Sequence, residues 1–325
     1  MIGFDIGGTK CAVTLGHEEH GELIIVDKRS IPTDHTVSAY VMIDRMCELA
    51  EELTETIDRI GISCGGPLDS KRGVILSPPN LPGWDDVKIV EYLESRYGCK
   101  AYLQNDANAC AVAEWKYGAG KSCENMIFLT FGTGMGAGLI LNGKLYTGTN
   151  DMAGEIGHVR LSPYGPVGFG KAGSFEGFCS GAGIAQLGQM MAREKLQMGQ
   201  RASYCDDMNE LGSITAKRIA ECAGEGHEDA LAVYECCGEM LGRGLSILID
   251  VLNPERIVIG SVFQRSGHLL RDTMEKVIRR ESLAASREVC EVVPAMLEEN
   301  IGDYAALAVA SMGGSKSCYT KDILR

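Results

Sequence analysis

With 325 residues, 45% of them hydrophobic and 23% charged, the chain has the composition of an ordinary globular protein and the length for two domains with separate cores. A formal net charge of −13 argues against a nucleic-acid partner, which needs clustered Lys and Arg, yet leaves ATP open wherever local donors outweigh the global field. The 13 cysteines are odd in number and form no C-x-x-C pair, as expected of reduced thiols used as small buried side chains. No signal-peptide pattern opens the chain and no apolar run approaches the ~20 residues of a membrane span, so the expected compartment is the cytoplasm with no membrane partner.

An apolar run reaches Asp5 and breaks into Gly7-Gly8-Thr9-Lys10, and β-compatible residues resume from Cys11 to Leu15. That pattern predicts a hairpin turn. Its glycine N–H groups and the Thr9 hydroxyl can wrap a phosphate, and Asp5 can hold Mg²⁺ through water. The plain alternative is an ordinary Gly-Gly hairpin, and the spacing is not that of a Walker loop. A third strand is expected over Glu22–Lys28, a helix over Ser38–Ile57, and a buried strand over Arg59–Cys64 that ends at Gly65-Gly66-Pro67. A turn-rich segment spans 73–84, a helix lies near Val87–Tyr97, and the strand Ala101–Gln104 leads into Asn105-Asp106.

A second β-rich block begins at Met126–Thr130, turns at Gly132-Thr133-Gly134 and closes near Tyr146. Strand followed by glycine turn in both halves suggests a duplicated architecture, without matching intervals. Residues 181–249 read as mostly helical, and the strand Arg256–Ile259 runs into Gly260-Ser261. A helix over Leu269–Arg279, a strand over Val289–Val293, a closing helix over Tyr304–Ser311 and a loose tail from Gly313 to Arg325 complete the order. The two lobes are expected to meet along a cleft.

Four constellations carry chemistry. The Asp5–Lys10 and Gly132–Gly138 turns, one in each half, can grip a triphosphate from both sides, although glycine-rich strands also mark bends in sheets. Asp106 stands at a strand end, where a carboxylate can accept a hydroxyl proton during attack on phosphorus; a helix cap, by Asp106 or Asn108, is the local alternative. Glu155 and His158, with Glu176 further on, can each fix a hydroxyl of a polyol; two surface acids and a satisfied histidine are the alternative.

Taken together and in this order, the motifs Asp5-Ile-Gly-Gly-Thr-Lys10, Gly65-Gly-Pro67, Asn105-Asp-Ala-Asn108, Gly132-Thr-Gly-Met-Gly-Ala-Gly138, Gly154-Glu-Ile-Gly-His158, Glu176 and Ile257-Val-Ile-Gly260 resemble the ROK family of sugar kinases over nearly the whole chain. The resemblance implies an α/β, two-lobed actin-like, hexokinase-type (ribonuclease H-like) ATPase fold. The small lobe would cover 1–109, with a C-terminal helix at 302–314 packing back on it, and the large lobe 110–301. It implies ATP phosphates at Asp5, Gly7, Gly8, Thr9, Lys10, Gly132, Thr133 and Gly134, and adenosine near Gly260 and Ser261. Sugar hydroxyls would meet Asn105, Glu155, His158 and Glu176, with Gly66 and Asn80 lining the pocket. Asp106 would be the general base, Mg²⁺ would accompany ATP, and a homodimer is expected.

Many family members carry C-x-C-G-x-x-G-C-x-E before the second glutamate. Here Val167, Phe169 and Ser174 stand at the cysteine positions. A structural zinc needs four N or S ligands, so none is expected, Phe169 and Phe175 are expected to pack in its place, and His158 needs another partner to fix its tautomer. The expected activity is transfer of the ATP γ-phosphate to the 6-hydroxyl of a hexose, glucose first. Fructose, mannose, allose, N-acetylglucosamine, N-acetylmannosamine and a non-catalytic sugar sensor are the alternatives. A family repressor would need a helix-turn-helix ahead of the Asp-Ile-Gly-Gly motif, which begins here at residue 5.

Overall fold

The computed structural model describes residues 1–297 and 300–312; the tail expected from Gly313 onward lies outside the described residues. Strands β1 (Ile2–Ile6), β2 (Lys10–Glu19) and β3 (Glu22–Pro32) form an antiparallel meander, followed by helix α1 (Ala39–Leu53) and strand β4 (Arg59–Cys64). A two-residue ribbon, β5 (Leu68–Asp69) with β6 (Val74–Ile75), interrupts the chain before α2 (Ile89–Tyr97), β7 (Lys100–Asn105) and α3 (Asp106–Tyr117). The second half repeats the meander as β8 (Met126–Leu129), β9 (Ala137–Leu141) and β10 (Lys144–Tyr146). A second ribbon, β11 (Val167–Gly168) with β12 (Lys171–Ala172), precedes helices α4 (Phe175–Phe178), α5 (Gly181–Gln197), α6 (Ala216–Gly224) and α7 (Glu228–Leu252). Strand β13 (Arg256–Ile259), helices α8 (Val262–Glu281) and α9 (Ala284–Glu288), strand β14 (Glu291–Pro294) and helix α10 (Ile301–Met312) close the fold.

The two main sheets have one topology. The first runs β3-β2-β1-β4-β7 and the second β10-β9-β8-β13-β14, with three antiparallel strands and then parallel additions in each. The duplication suggested by two strand-and-turn units is therefore a repeat of strand order. It is the two-lobed α/β arrangement of the actin-like ATPases.

Each sheet has its own core. Ile2, Phe4, Ile43, Met46, Ile60 and Ile62 are fully buried in the first, and Phe131, Phe175, Leu241, Leu245, Ile257 and Phe263 lie in the second. Helices α3 and α10 pack against each other and join the two bodies. Helix α10 lies on β1 and β4 at Gly3 and Gly61, which are register partners; a Cβ at Gly61 would collide with Ala306 O and Ala310 N. Helix α3 lies on β9 at Gly138, where a Cβ would meet Ala107 O.

Several elements differ from the expectations. Helix α1 ends at Leu53, where Thr54 turns to extended backbone. Helix α8 begins seven residues earlier than expected, opened by a capping box in which Ser261 and Gln264 bond each other's backbone. The residues expected to begin the last strand, Val289 and Cys290, instead form the turn that follows α9, so β14 starts at Glu291.

Candidate active site

Strands β1, β4 and β7 are parallel neighbours, and the register pairs Ile6 with Cys64 and Cys64 with Asn105. Their C-terminal ends therefore lie side by side. From them emerge the Gly7–Thr9 turn, Gly65-Gly66-Pro67 and Asp106. In the second sheet Leu129 pairs with Ile259, so the Gly132–Gly134 turn and Gly260-Ser261 also leave one edge together. Open α/β sheets bind ligands at such carboxyl edges.

The Gly7–Thr9 turn closes through Gly7 N–H to Lys10 O at 3.1 Å and is braced by Thr33, whose hydroxyl donates to Gly7 O at 2.6 Å. His35 Nε2 lies 2.8 Å from Gly8 O. The opposite turn closes through Gly132 N–H to Gly134 O at 3.1 Å, while Thr130 Oγ1 accepts from Gly136 N at 2.8 Å. The N–H groups of Gly8, Thr9, Thr133 and Gly134 have no partner among the described residues. They are free to donate to an anion. A Cβ at Gly132 would stand 3.6 Å from Ser261 Oγ, so that turn and the start of α8 adjoin.

Two connected cavities occupy the cleft. One of about 570 Å³ is lined by Gly66, Asn105, Glu155, His158 and Glu176 with Pro67, Leu68, Met135 and Met152. The other, about 350 Å³, is lined by Asp106, Gly132, Thr133, Gly134, Glu155 and Glu176. Asn105, Met135, Asp151, Glu155 and Glu176 border both. Asp106 lines the smaller cavity beside the Gly132–Gly134 turn, and its neighbour Asn105 borders both. Asn80 is not among the residues lining the larger cavity; it approaches Gly8 through its backbone and Gly65 through its amide.

Asn105 is the cap of α3, accepting from Ala107 N at 3.0 Å, and Asp106 Oδ1 accepts from the same N–H at 2.8 Å. The cap thus falls to neither Asp106 nor Asn108; Asn108 is buried behind the site. Asp106 stays open to the cleft, and partial desolvation by the surrounding protein raises its carboxyl above the usual carboxylate range, against the bond from Ala107. Glu155 is raised by burial and then by the charges of Asp106 and Glu176, with His158 opposing. Glu176 is fixed by Met135 N–H at 2.9 Å. Asp5 is pushed up to about 6, first by burial and then by Asp303 and Asp106. A divalent cation fits the chemistry of that carboxylate, since an added positive charge relieves the repulsion it feels from Asp303 and Asp106.

A ROK family model matches residues 1–312. The chain belongs to the ROK family. A glucokinase from Halalkalibacterium halodurans is 33% identical over 288 residues, covering 86% of this chain and 84% of that protein. An N-acetylmannosamine kinase from Salmonella typhi is 30% identical over 270 residues, with 82% and 85% coverage. A solved ROK glucokinase from Streptomyces griseus, in complex with glucose and AMPPNP, superposes with a TM-score of 0.74 at 28% identity and covers 96% of this chain and 98% of its own. This ROK chain is a sugar kinase, a phosphotransferase with a hydroxyl group as acceptor.

Where many ROK proteins have the cysteine motif, this chain builds the β11–β12 hairpin, with Phe169 and Gly170 both at positive φ in its turn. Phe175 packs in the core as expected, but Phe169 does not: it is 78% exposed, its ring edge-on to His158 with centroids 6.2 Å apart. From the hairpin tip Phe169 instead lines the larger cavity beside His158. Ser174 instead caps α4, accepting from Gly177 N at 3.1 Å. The His158 ring nitrogens have no hydrogen-bond partner among the described residues. Among those residues no cluster of three His, Cys, Asp or Glu side chains is placed to hold a metal, and no helix is long and apolar enough to cross a membrane. Sequence reasoning missed Asp151, Met135, Met152, Leu68 and Pro67 as lining residues. The loop composition around Asp151 gave no sign of them, since Asp and Met there read as ordinary turn residues.

Proposed function

We propose that this kinase is ATP-dependent and phosphorylates the 6-hydroxyl of a hexose, with glucose the first candidate. The observation that carries the reading is the position of Asp106: it lines the smaller cavity with the Gly132–Gly134 turn, and the residue before it, Asn105, borders both that cavity and the larger one lined by Glu155, His158 and Glu176. The sugar's ring hydroxyls are held by those four side chains, and Gly66 closes one wall. The phosphates rest on the free N–H groups of the Gly7–Thr9 and Gly132–Gly134 turns, with Lys10 at the rim and Gly260-Ser261 beside the adenosine. Asp5 is the residue that would hold Mg²⁺. The ion, when bound, neutralises charge on the phosphates.

Asp106 accepts the proton of the attacking hydroxyl as that oxygen bonds to the γ-phosphorus. The bond from phosphorus to the β-bridging oxygen breaks and ADP leaves. A carboxyl raised by its surroundings is a better proton acceptor than a free aspartate, and alignment supplies most of the rest. A second reading, an N-acetylhexosamine as acceptor, is favoured by the wall of Pro67, Leu68, Met135 and Met152, which offers an acetamido methyl an apolar contact.

The test is ADP release with Mg-ATP across hexoses and N-acetylhexosamines, with Asp106→Asn alongside. Turnover on one sugar, reduced about 10²–10⁴-fold in the variant with sugar binding retained, is the expected outcome. Near-normal turnover in Asp106→Asn removes it from the base role.

A further inference from the structure

One contact across the cleft is used by none of the steps above. The Asp151 carboxylate accepts from Ser70 N–H at 2.8 Å and from Ser70 Oγ–H at 2.9 Å. Ser70 sits on the β5–β6 ribbon, which is anchored in the first core by Leu68 and Ile75. Asp151 sits in the loop after β10, in the second lobe, at a positive φ of 59°.

Both partners ride on segments that shape the sugar cavity. The ribbon is fixed by Arg72 N–H to Asp69 Oδ1 at 2.9 Å and Leu76 N–H to Pro67 O at 2.9 Å, so Ser70 moves with Gly66, Pro67 and Leu68. The Asp151 loop is tied by Ala153 N–H to Thr147 O at 3.1 Å and, at its base, by Ala137 N–H to Gly154 O at 2.8 Å. Glu155 follows directly. Asp151 itself borders both cavities. An ionised carboxylate offers about four lone-pair sites and Ser70 uses two, leaving acceptor capacity beside the space where the sugar sits.

We propose that Ser70 and Asp151 form a latch that holds the lobes closed over the sugar cavity, with Asp151 a positioning residue that ties closure to the placement of Glu155. The role in turnover rests on the sugar-kinase reading; the latch itself does not. Two hydrogen bonds to a part-buried charge are strong enough to bias a hinge, and closure keeps water from the phosphoryl group.

The experiment compares the full chain with Ser70→Ala, Asp151→Asn and the double variant. Small-angle scattering without ligand reads the latch directly. The double variant is expected to have a larger radius of gyration than wild type, and equal radii overturn the proposal whatever the kinetics show. On the best sugar of the panel, Asp151→Asn is expected to raise KM for the sugar about tenfold with kcat within about twofold, and to raise ATP hydrolysis without sugar. Ser70→Ala, which keeps the N–H, moves KM less, and the double variant is no worse than Asp151→Asn because the pair is coupled. A fall in kcat at constant KM, or additive effects, overturns the pairing. A wild-type chain silent on every sugar refutes the kinase reading, while scattering still decides the latch.

Discussion

Asp5 shows how a single side chain is held against its own preference. Its carboxyl is pushed up to about 6 from 3.8, so above pH 6 the folded state carries a charge that the unfolded chain accommodates better. The folded state binds more protons than the unfolded one between those values, hence stability rises as pH falls through that window. Keeping Asp5 ionised in the fold costs about 3 kcal/mol at neutral pH. Asp5→Asn is therefore expected to melt higher than wild type at pH 8, to lose that advantage near pH 4, and to have a raised KM for ATP; thermal melts at both pH values with ATP kinetics check this. A lower melting temperature at pH 8 rules the account out. The same scale shows what sequence could and could not carry. Asp5, Asp106 and the two glycine turns announce themselves because their neighbours in sequence are their neighbours in the site. Ser70 and Asp151 meet across 81 residues, and each alone reads as an ordinary turn residue. Phe169 misled because its type suggests burial, whereas a two-residue hairpin tip with positive φ decides its direction.

Among the elements, the strands were legible from apolar runs ended by glycine, down to Arg59–Cys64 and Arg256–Ile259. The start of α8 was legible too, in hindsight, from the Ser-x-x-Gln spacing of a capping box. What no periodicity records is how closely α10 approaches the first sheet. At Gly61 the neighbouring atoms are backbone and cannot swing aside. Gly61→Ala is expected to cost about 1–3 kcal/mol or more, whereas Gly83→Ala, at φ +82 with nothing within 4 Å, is expected to cost about 1 kcal/mol from the backbone alone. Denaturant titrations of the two variants give the comparison; equal effects contradict the close packing of α10.

At the scale of the whole molecule, the duplication placed two glycine turns and two sheet edges around one cleft, and strand order carried it where residue intervals did not. A cleft of this kind couples binding to stability. Sugar at about 100 times its Kd is expected to stabilise the chain by about 2.7 kcal/mol. Asp106→Asn should gain the same increment, since that variant is expected to lose turnover and keep the sugar; calorimetric melts with and without sugar measure it. A variant that gains nothing has lost its pocket as well as its base.

The return of α10 to the first sheet has a consequence for biosynthesis. The strands β1 and β4 leave the ribosome early, but the helix that covers Gly3 and Gly61 emerges after every other described element. Domains generally acquire structure from the N-terminus during translation, yet here the leading half must wait with an apolar face uncovered. A premature stop between residues 118 and 300 would strip a layer from the first sheet, whose own strands are complete by then. The nascent chain's exposure to chaperones and proteases is thus set by the last of its described helices.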